Sequence, residues 1–245
     1  SGGDLTEVLP RLFEILRASP LLYAAGTLHP DYPDNAAELQ KFKQRGQRGI
    51  KLCSFSQRFR LDAPATLAMF DLIQRVNSEA GDAFFVVLDT FASAHQLMGS
   101  PLAYTTTPGL LGQLVDRFPG LNFIAAHMGG LSADFGDIVN HLSPLDNLYL
   151  DTSNAGHVLT ENQFVSLLKR HGPEKVIFGT DWPWFTHAEE VGVISGLLKQ
   201  AGFNGKQRDL VFTANIAGLM GIQPQRAHGA EHPKIETQKE FPKHD

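Results

Sequence analysis

Short apolar runs and amphipathic stretches alternate along the chain. The run Val176–Gly179 is four residues long, too short for a helix, and is flanked by turn-forming residues, which is typical of a buried strand. Similar runs predict six strands over Leu21–Leu28, Gly49–Cys53, Ala83–Leu88, Asn122–Ala126, Asn147–Leu150 and Val176–Gly179. Apolar residues at helical spacing predict helices over Leu5–Arg17, Asn35–Arg45, Ala65–Asn77, Pro108–Phe118, Gln163–Arg170, Glu189–Gln200 and Lys206–Met220. This alternation is typical of βα units in a parallel sheet.

Polar side chains directly follow several of these predicted strands. Asp89, His127, residues 151–154 and Asp181 all come at such positions. Right-handed crossovers place the C-terminal ends of all strands at one edge, where α/β folds carry their chemistry. A doubly wound sheet has the same rhythm, but it usually has a glycine-rich first turn, and neither GxGxxG nor GxxxxGK[ST] occurs. A barrel of the (β/α)8 TIM-barrel type is therefore favoured.

Length and composition fit one large domain. The chain has 245 residues, of which 42% are hydrophobic and 19% charged, enough for a sizeable core. We assign residues 1–222 to a single barrel domain and the polar, non-periodic residues 223–245 to a C-terminal tail. A net charge of −5 without a basic cluster argues against nucleic acid or an anionic membrane as the main partner. A small-molecule substrate is the expected partner.

The chain also lacks the usual signals for export or membrane insertion. No apolar run approaches the roughly 20 residues of a transmembrane helix. Neither a signal peptide nor a lipidation motif is visible, so a cytoplasmic protein is expected. The single cysteine, Cys53, rules out an intrachain disulfide, and we expect a small buried hydrophobe at this position rather than a nucleophile.

Five segments of the chain resemble a known family. The segments are FIAAHMGGL at 123–131, LYLDTSN at 148–154, VIFGTDWP at 176–183, GTLHPDYPDN at 26–35 and GQRGIKL at 46–52. In this order they resemble the amidohydrolase-related (amidohydrolase 2) metal-dependent hydrolases, and the pair HMGG and GTDWP is fairly specific. The resemblance implies a (β/α)8 barrel that hydrolyses C–N or C–O bonds or, in a related branch, decarboxylates aromatic and unsaturated acids.

The resemblance also implies a role for two residues. His127 would end the sixth barrel strand as a catalytic histidine, and Asp181 would end the eighth as the metal-bound carboxylate that handles the proton of the attacking water. Counting back makes Leu21–Leu28 the third strand, so the first two βα units, with their His-x-His triplet, are missing from this sequence. Either upstream residues are lacking, which we favour, or the protein opens or self-associates at the gap. Exposed strand edges would favour a homo-oligomer.

The predicted metal ligands are Asp89, His127 and Asp181. The family usually has a metal-binding histidine where this chain has Asp89, and aspartate ligates zinc or manganese through oxygen. A divalent ion would lower the pKa of its bound water, Asp181 would take the proton, and His127 would polarise the carbonyl or protonate the leaving group. Two carboxylates and one imidazole are few ligands, so we expect weak metal binding, or none, by this chain alone.

Each candidate also has a purely structural interpretation. Asp89 and Asp181 would serve as helix caps or Asx turns, and His127 as a buried histidine bonded to a neighbouring carbonyl. The pair Gly129 and Gly130 would leave room for a substrate beside the backbone.

Several residues are predicted to contact the substrate. Lys51 and Arg58 would anchor a substrate carboxylate, although Arg58 would alternatively pair with Asp62. Trp182 would form a pocket wall or join the core. The predicted substrate-binding residues are Lys51, Arg58, Trp182, Asn154 and His187, and His95, His157 and His187 are predicted on loops at the catalytic end.

Three functions remain open at this point. The favoured one is a metal-dependent hydrolase acting on a small carbonyl substrate, a lactone, amide or ester, through a metal-activated water. The second is a non-oxidative decarboxylase of a small unsaturated or aromatic acid that uses the same site. The third is a non-catalytic member whose metal site has decayed.

Overall fold

The computed structural model describes residues 22–80 and 83–222. Its sheet has five parallel strands, each paired with the next in sequence. They are β1 (Gly49–Leu52), β2 (Phe85–Leu88), β3 (Asn122–Ala125), β4 (Leu148–Asp151) and β5 (Val176–Ile177). A doubly wound sheet reverses its strand order at a switch point, and this order does not reverse. The strands therefore wind as in a barrel, which confirms the predicted fold class.

Ten α-helices lie in the described part of the chain. They are α1 (Asn35–Gln44), α2 (Ser54–Gln57), α3 (Pro64–Ala80), α4 (Ala94–Leu97), α5 (Pro108–Arg117), α6 (Phe135–His141), α7 (Glu161–His171), α8 (His187–Gln200), α9 (Gly205–Asp209) and α10 (Asn215–Met220). A π-helical segment, Leu210–Ala214, joins the last two. The predicted helix Leu5–Arg17 and the tail 223–245 lie outside the described residues, so the predicted domain division stays a prediction.

Alternate strand residues pack on the two faces of the sheet. One face joins the main core, with Leu52, Leu88 and Leu150 fully buried. The opposite face has a smaller cluster of Phe85, Ile124 and Ile177, against which residues of α10 pack. Lys51 and Asp151 belong to this second face, because they pair in register with Val87 and Ile177. The second face is therefore apolar near the start of the strands and polar near their ends.

The first predicted strand is present only as a single bridge. Gly26 pairs with Ile50, and its N–H and C=O bond to Gly49 and Lys51 at 2.8 Å. Leu22 and Tyr23 are exposed, so the apolar residues that suggested a strand do not all face the core. The prediction of a regular strand up to Leu28 was wrong in extent, while its place beside β1 was right.

The last strand is also shorter than predicted, for a visible reason. Beyond Ile177 the backbone leaves its strand neighbour: the Phe178 N–H donates to the Val211 carbonyl at 2.9 Å, and the Gly179 N–H donates to Thr152 Oγ1 at 3.0 Å. Val211 lies in the π-helical segment, where one continuous helix over Lys206–Met220 was predicted. The wider π turn interrupts the usual backbone ladder at the point where the last strand attaches.

Across residues 22–80 and 83–222, no helix combines the length and the apolar character needed to cross a bilayer. Self-association stays a prediction.

Candidate functional site

His127 directly follows β3 in an unusual backbone conformation. His127 and Met128 both have left-handed backbones, with φ of 57° and 53°. This conformation costs a residue other than glycine about 1–2 kcal/mol, and such residues concentrate at functional sites. The His127 N–H donates to Asp151 Oδ1 at 3.0 Å, so the end of β4 holds the strained turn in place.

Ser153 and Asp151 fix the proton on the inner ring nitrogen of His127. Nδ1 lies 2.9 Å from the Ser153 carbonyl oxygen and 3.1 Å from Ser153 Oγ. A carbonyl oxygen only accepts, so Nδ1 must carry a proton. The Ser153 hydroxyl donates its proton to Asp151 Oδ1. The lone pairs of Ser153 Oγ are therefore free to accept from the His127 ring as well. The orientation of the imidazole therefore follows from the loop after β4.

The outer ring nitrogen faces a carboxylate. His127 Nε2 lies 3.7 Å from Asp89 Oδ2, and Lys51 Nζ lies 3.9 Å from the same oxygen. Burial by itself would lower the pKa of His127, but Asp89 and Asp151 outweigh it and raise that pKa above its ordinary value. Burial would raise the pKa of Asp89, but His127 and Lys51 reverse the shift and lower it. The two shifts therefore favour the carboxylate form of Asp89 and the protonated form of His127.

Asp181 lies in the loop that follows β5. It also has a left-handed backbone, with φ of 57°, and its Oδ2 accepts from Asn154 Nδ2 at 3.0 Å. Its other carboxylate oxygen has no hydrogen-bond partner among residues 22–80 and 83–222. Asn154 directly follows Ser153, which holds the ring of His127. The loop after β4 therefore positions both predicted catalytic residues through two adjacent residues, Ser153 and Asn154.

The remaining predicted substrate-binding residues are not part of this network. Arg58 is exposed at the end of α2, and Asp62 pairs with Arg60 instead, at 2.8 Å. Trp182 is exposed in the loop after β5, so it is not a core residue, and His187 is exposed at the start of α8. Of the predicted substrate-binding residues, Lys51 lies beside the Asp89 carboxylate and Asn154 donates to the Asp181 carboxylate. Substrate contact by each of the five stays a prediction.

Sequence reasoning gave no role to Asp151 and Ser153. Both were recognised only as polar residues after a strand. Asp151 Oδ1 accepts from the His127 N–H, from the Ser153 N–H at 2.9 Å and from the Ser153 hydroxyl. The motif LYLDTSN contains both residues and was the only sequence feature that pointed to them. Their bonds to His127 join residues 24 and 26 positions apart, which the motif itself does not show.

The prediction for Gly129 and Gly130 has a clear outcome. The expectation that Gly129 and Gly130 leave room for substrate was wrong, because a Cβ there would meet Leu142 Cδ1 at 2.3 Å and Ala133 Cβ at 2.8 Å. These glycines accommodate packing around α6.

Burial and the nearby Asp89 charge raise the pKa of Cys53 to about 11, so its thiol stays protonated and is a poor nucleophile.

The described residues do not make a metal site by themselves. Catalytic zinc usually has three protein ligands. In the described part of the chain, no group of three or more His, Cys, Asp or Glu side chains is placed to hold one ion. Asp89 and His127 face each other at 3.7 Å, while the Asp181 carboxylate is bonded to Asn154. The predicted trio is therefore not assembled as a ligand set, and this donor arrangement does not fit a resident zinc or manganese ion.

Solved structures with the same fold support the architecture. An amidohydrolase from Burkholderia multivorans, with bound zinc, matches at a TM-score of 0.66 and 13% identity, over 89% of this chain and 80% of that one. A 5-carboxyvanillate decarboxylase from Novosphingobium aromaticivorans, complexed with manganese, matches at 0.62 and 17%, over 89% and 69%. A protein named as a candidate 2-pyrone-4,6-dicarboxylic acid hydrolase from Pseudomonas putida matches at 0.58 and 19%, over 86% and 77%. At these identities the likeness shows the fold alone.

Comparison of the sequence with protein families gives the more direct result. No curated protein matches the chain. The amidohydrolase family model matches residues 13–219, which is most of the chain and contains every residue of the site described above. This match confirms the resemblance carried by the HMGG and GTDWP motifs, and the chain therefore belongs to the amidohydrolase family.

Proposed function

We propose that this chain is a hydrolase that acts on a small carbonyl compound, a lactone, amide or ester. The observation that carries the proposal is the fixed imidazole of His127, whose Nδ1 bonds to Ser153 and whose Nε2 faces Asp89, beside a loop that also holds the Asp181 carboxylate. Hydrolysis needs a base for the attacking water and an acid for the carbonyl or the leaving group. These two side chains supply one of each.

Asp181 is suited to the role of base. Asn154 holds one of its oxygens at 3.0 Å, which orients the carboxylate, and leaves the other free to accept a proton from water. His127 is suited to the role of acid, because its Nδ1 proton is engaged with Ser153 and only the Nε2 proton can be given up. After that transfer, the bond from Nδ1–H to the Ser153 carbonyl keeps the ring in place, and the Asp89 carboxylate favours reprotonation of Nε2.

The predicted dependence on zinc or manganese stays a prediction. An ion would lower the pKa of water and polarise the carbonyl. As the described residues are placed, however, they do not offer three ligands for it. The roles given to Asp181 and His127 are therefore derived from their own contacts.

Decarboxylation is the second candidate, and Lys51 is the observation that favours it. Its ammonium group lies 3.9 Å from Asp89 and is about half exposed, so it can also reach a substrate carboxylate. In that reaction His127 would protonate the carbon that loses carbon dioxide. We favour hydrolysis because Lys51 already has an anionic partner and because decarboxylation leaves Asp181 without a role.

The test compares Asp181→Asn and His127→Gln with the parent protein on a panel of lactones, esters and amides and, for the second candidate, unsaturated and aromatic acids. Loss of the general base or acid should lower kcat about 10²–10⁴-fold. Asp116→Asn, an exposed change on α5, is the matched control and should leave kcat unchanged. Melting curves would show that all variants fold. Unchanged turnover in both site variants would refute the assignment, and release of carbon dioxide without water consumption would favour the decarboxylase.

A further inference from the structure

A buried hydroxyl group joins the end of β4 to the loop that carries Asp181. Thr152 Oγ1 accepts from the Gly179 N–H at 3.0 Å and donates to the Gly179 carbonyl at 3.1 Å. The Thr152 side chain is fully buried, so the hydroxyl is removed from solvent. Both backbone polar groups of Gly179 therefore bond to one side chain.

This hydroxyl takes the place of a backbone group. In a regular parallel ladder the Thr152 N–H would donate to the Ile177 carbonyl, as it does here at 3.0 Å, and the Thr152 carbonyl would accept from the Gly179 N–H. The threonine hydroxyl makes that second bond instead. The position of the chain after Ile177 is therefore set by a side chain and not by the strand ladder.

Close packing holds the same glycine against the loop after β4. A Cβ at Gly179 would lie 3.1 Å from Ser153 Cβ and 3.4 Å from Asp151 Oδ1, so the Gly179 backbone lies directly beside these two residues. Asp181 follows two residues later, and its Oδ2 accepts from Asn154 at 3.0 Å. The position of the Asp181 carboxylate therefore depends on where Gly179 is held.

The end of β2 has a similar arrangement beside the other predicted catalytic residue. Thr90, like Thr152, directly follows an aspartate and is fully buried. Its hydroxyl donates to the carbonyl of Ala126, the residue before His127. Thr152 has the larger effect on its neighbour, because it bonds to both polar groups of Gly179, whereas His127 has further bonds to the loop after β4.

We propose that Thr152 is a positioning residue whose hydroxyl holds the Asp181 carboxylate in the orientation that catalysis needs. The inference deepens the proposed hydrolysis and rests on it, because Asp181 is the base in that reaction. Thr152 is buried and its hydroxyl bonds only to Gly179, so it acts through the backbone and does not contact the substrate. Misplacing a catalytic group by about 1 Å can lower a rate about 100-fold.

The test separates the hydroxyl from the shape of the side chain. Thr152→Val keeps the shape and lacks the hydroxyl, whereas Thr152→Ser keeps the hydroxyl and lacks a methyl group. In the hydrolase assay, Thr152→Val should lower kcat about tenfold or more and change KM less than about twofold, because the base is misplaced while substrate binding is retained. Thr152→Ser should recover most of the parental kcat.

Thr66→Val is the matched control for stability. Thr66 is also fully buried, and its hydroxyl donates to the Arg60 carbonyl at 2.6 Å, a bond that involves no residue of the site. Both valine variants should lower the melting temperature, because each leaves a backbone group without its partner. Thr66→Val should leave kcat unchanged. An unchanged kcat in folded Thr152→Val, or an equal loss of kcat in Thr66→Val, would overturn the proposal.

A second readout needs no turnover. The Asn154 side-chain amide donates to Asp181, so its NMR signal reports whether the carboxylate is in place. Asp181→Ala supplies the reference signal for the lost bond. The signal in Thr152→Val should move toward this reference, while Thr152→Ser and Thr66→Val should keep it near the parental position.

This readout keeps the proposal separate from the proposed function. A parent protein without turnover on any ester, amide or lactone would refute the hydrolase, yet the Asn154 signal would still decide the role of Thr152. A parental Asn154 signal in Thr152→Val would show that Asp181 is held without the hydroxyl and would overturn the proposal.

Discussion

At the scale of single residues, the proton positions on His127 depend on two neighbouring groups that can only accept hydrogen bonds. The Ser153 carbonyl forces a proton onto His127 Nδ1, and the Asp89 carboxylate favours a second one on Nε2. Neither effect is visible in the motif HMGG, because the two partners lie in the loops after β2 and β4. The sequence could therefore predict His127 as a candidate site residue, but not which groups its two ring nitrogens contact.

A different histidine should make the fold sensitive to acid. His171 is buried at the end of α7, and neither ring nitrogen has a partner among the described residues. Burial, helped by Arg170, lowers its pKa from 6.5 to about 4. Between these values the unfolded chain binds a proton that the folded chain does not, so stability falls as the pH falls through this range. The loss approaches about 3 kcal/mol.

Replacing this histidine should remove the effect. In His171→Leu, the free energy of unfolding from urea titrations should fall less between pH 6.5 and about pH 4 than in the parent protein. His141→Leu, an exposed change at the end of α6, should keep the parental slope. An identical pH dependence in His171→Leu and the parent protein would contradict this explanation.

At the scale of elements, helix starts were predicted less well than helix positions. The structure has capping boxes at Thr160 with Gln163, at Thr186 with Glu189 and at Asn204 with Gln207. Each of these helices was predicted to begin one or two residues late, because the first turn after the cap is polar and adds nothing to the apolar period. Helices α2, α4 and α6 were not predicted, since one or two turns are too short to show periodicity.

The contact between α5 and α6 depends on one glycine. A Cβ at Gly112 would lie 2.5 Å from the backbone oxygen of His141, which cannot move without shifting α6. Gly112→Ala should therefore destabilise the protein by about 1–3 kcal/mol, less the gain from a better helix former. Thermal unfolding should show a midpoint lowered by about 2–4 °C for each kcal/mol.

The same helix contains a matched control for this change. At Gly109 an added Cβ would make only ordinary contacts, 3.8 Å from the His141 ring. Gly109→Ala should be neutral or stabilise the fold by up to about 1 kcal/mol. Equal melting temperatures for the two variants would show that the close approach at Gly112 does not limit the packing of the helices.

At the scale of the whole molecule, the fold was more predictable than the site. Strand order follows from the repeated βα rhythm, and the polar strand ends were correctly grouped at one edge. What could not be predicted are contacts between distant loops, such as the pair of His157 and Glu190, which crosses 33 positions. Nor could the sequence show that Asp181 is held by Asn154 while Asp89 faces His127, which separates the predicted metal ligands into two groups.

That separation leads to a prediction about metal content. Protein purified without chelator should contain much less than one equivalent of zinc or manganese by mass spectrometry, because the described residues lack a three-ligand set. Asp181→Asn and the control Asp116→Asn should both match the parent protein. A chelator should leave the melting temperature unchanged, since an ion that is not bound to the folded state cannot stabilise it. Near-stoichiometric metal that drops only in Asp181→Asn would instead show that the carboxylate leaves Asn154 to complete a site with Asp89 and His127.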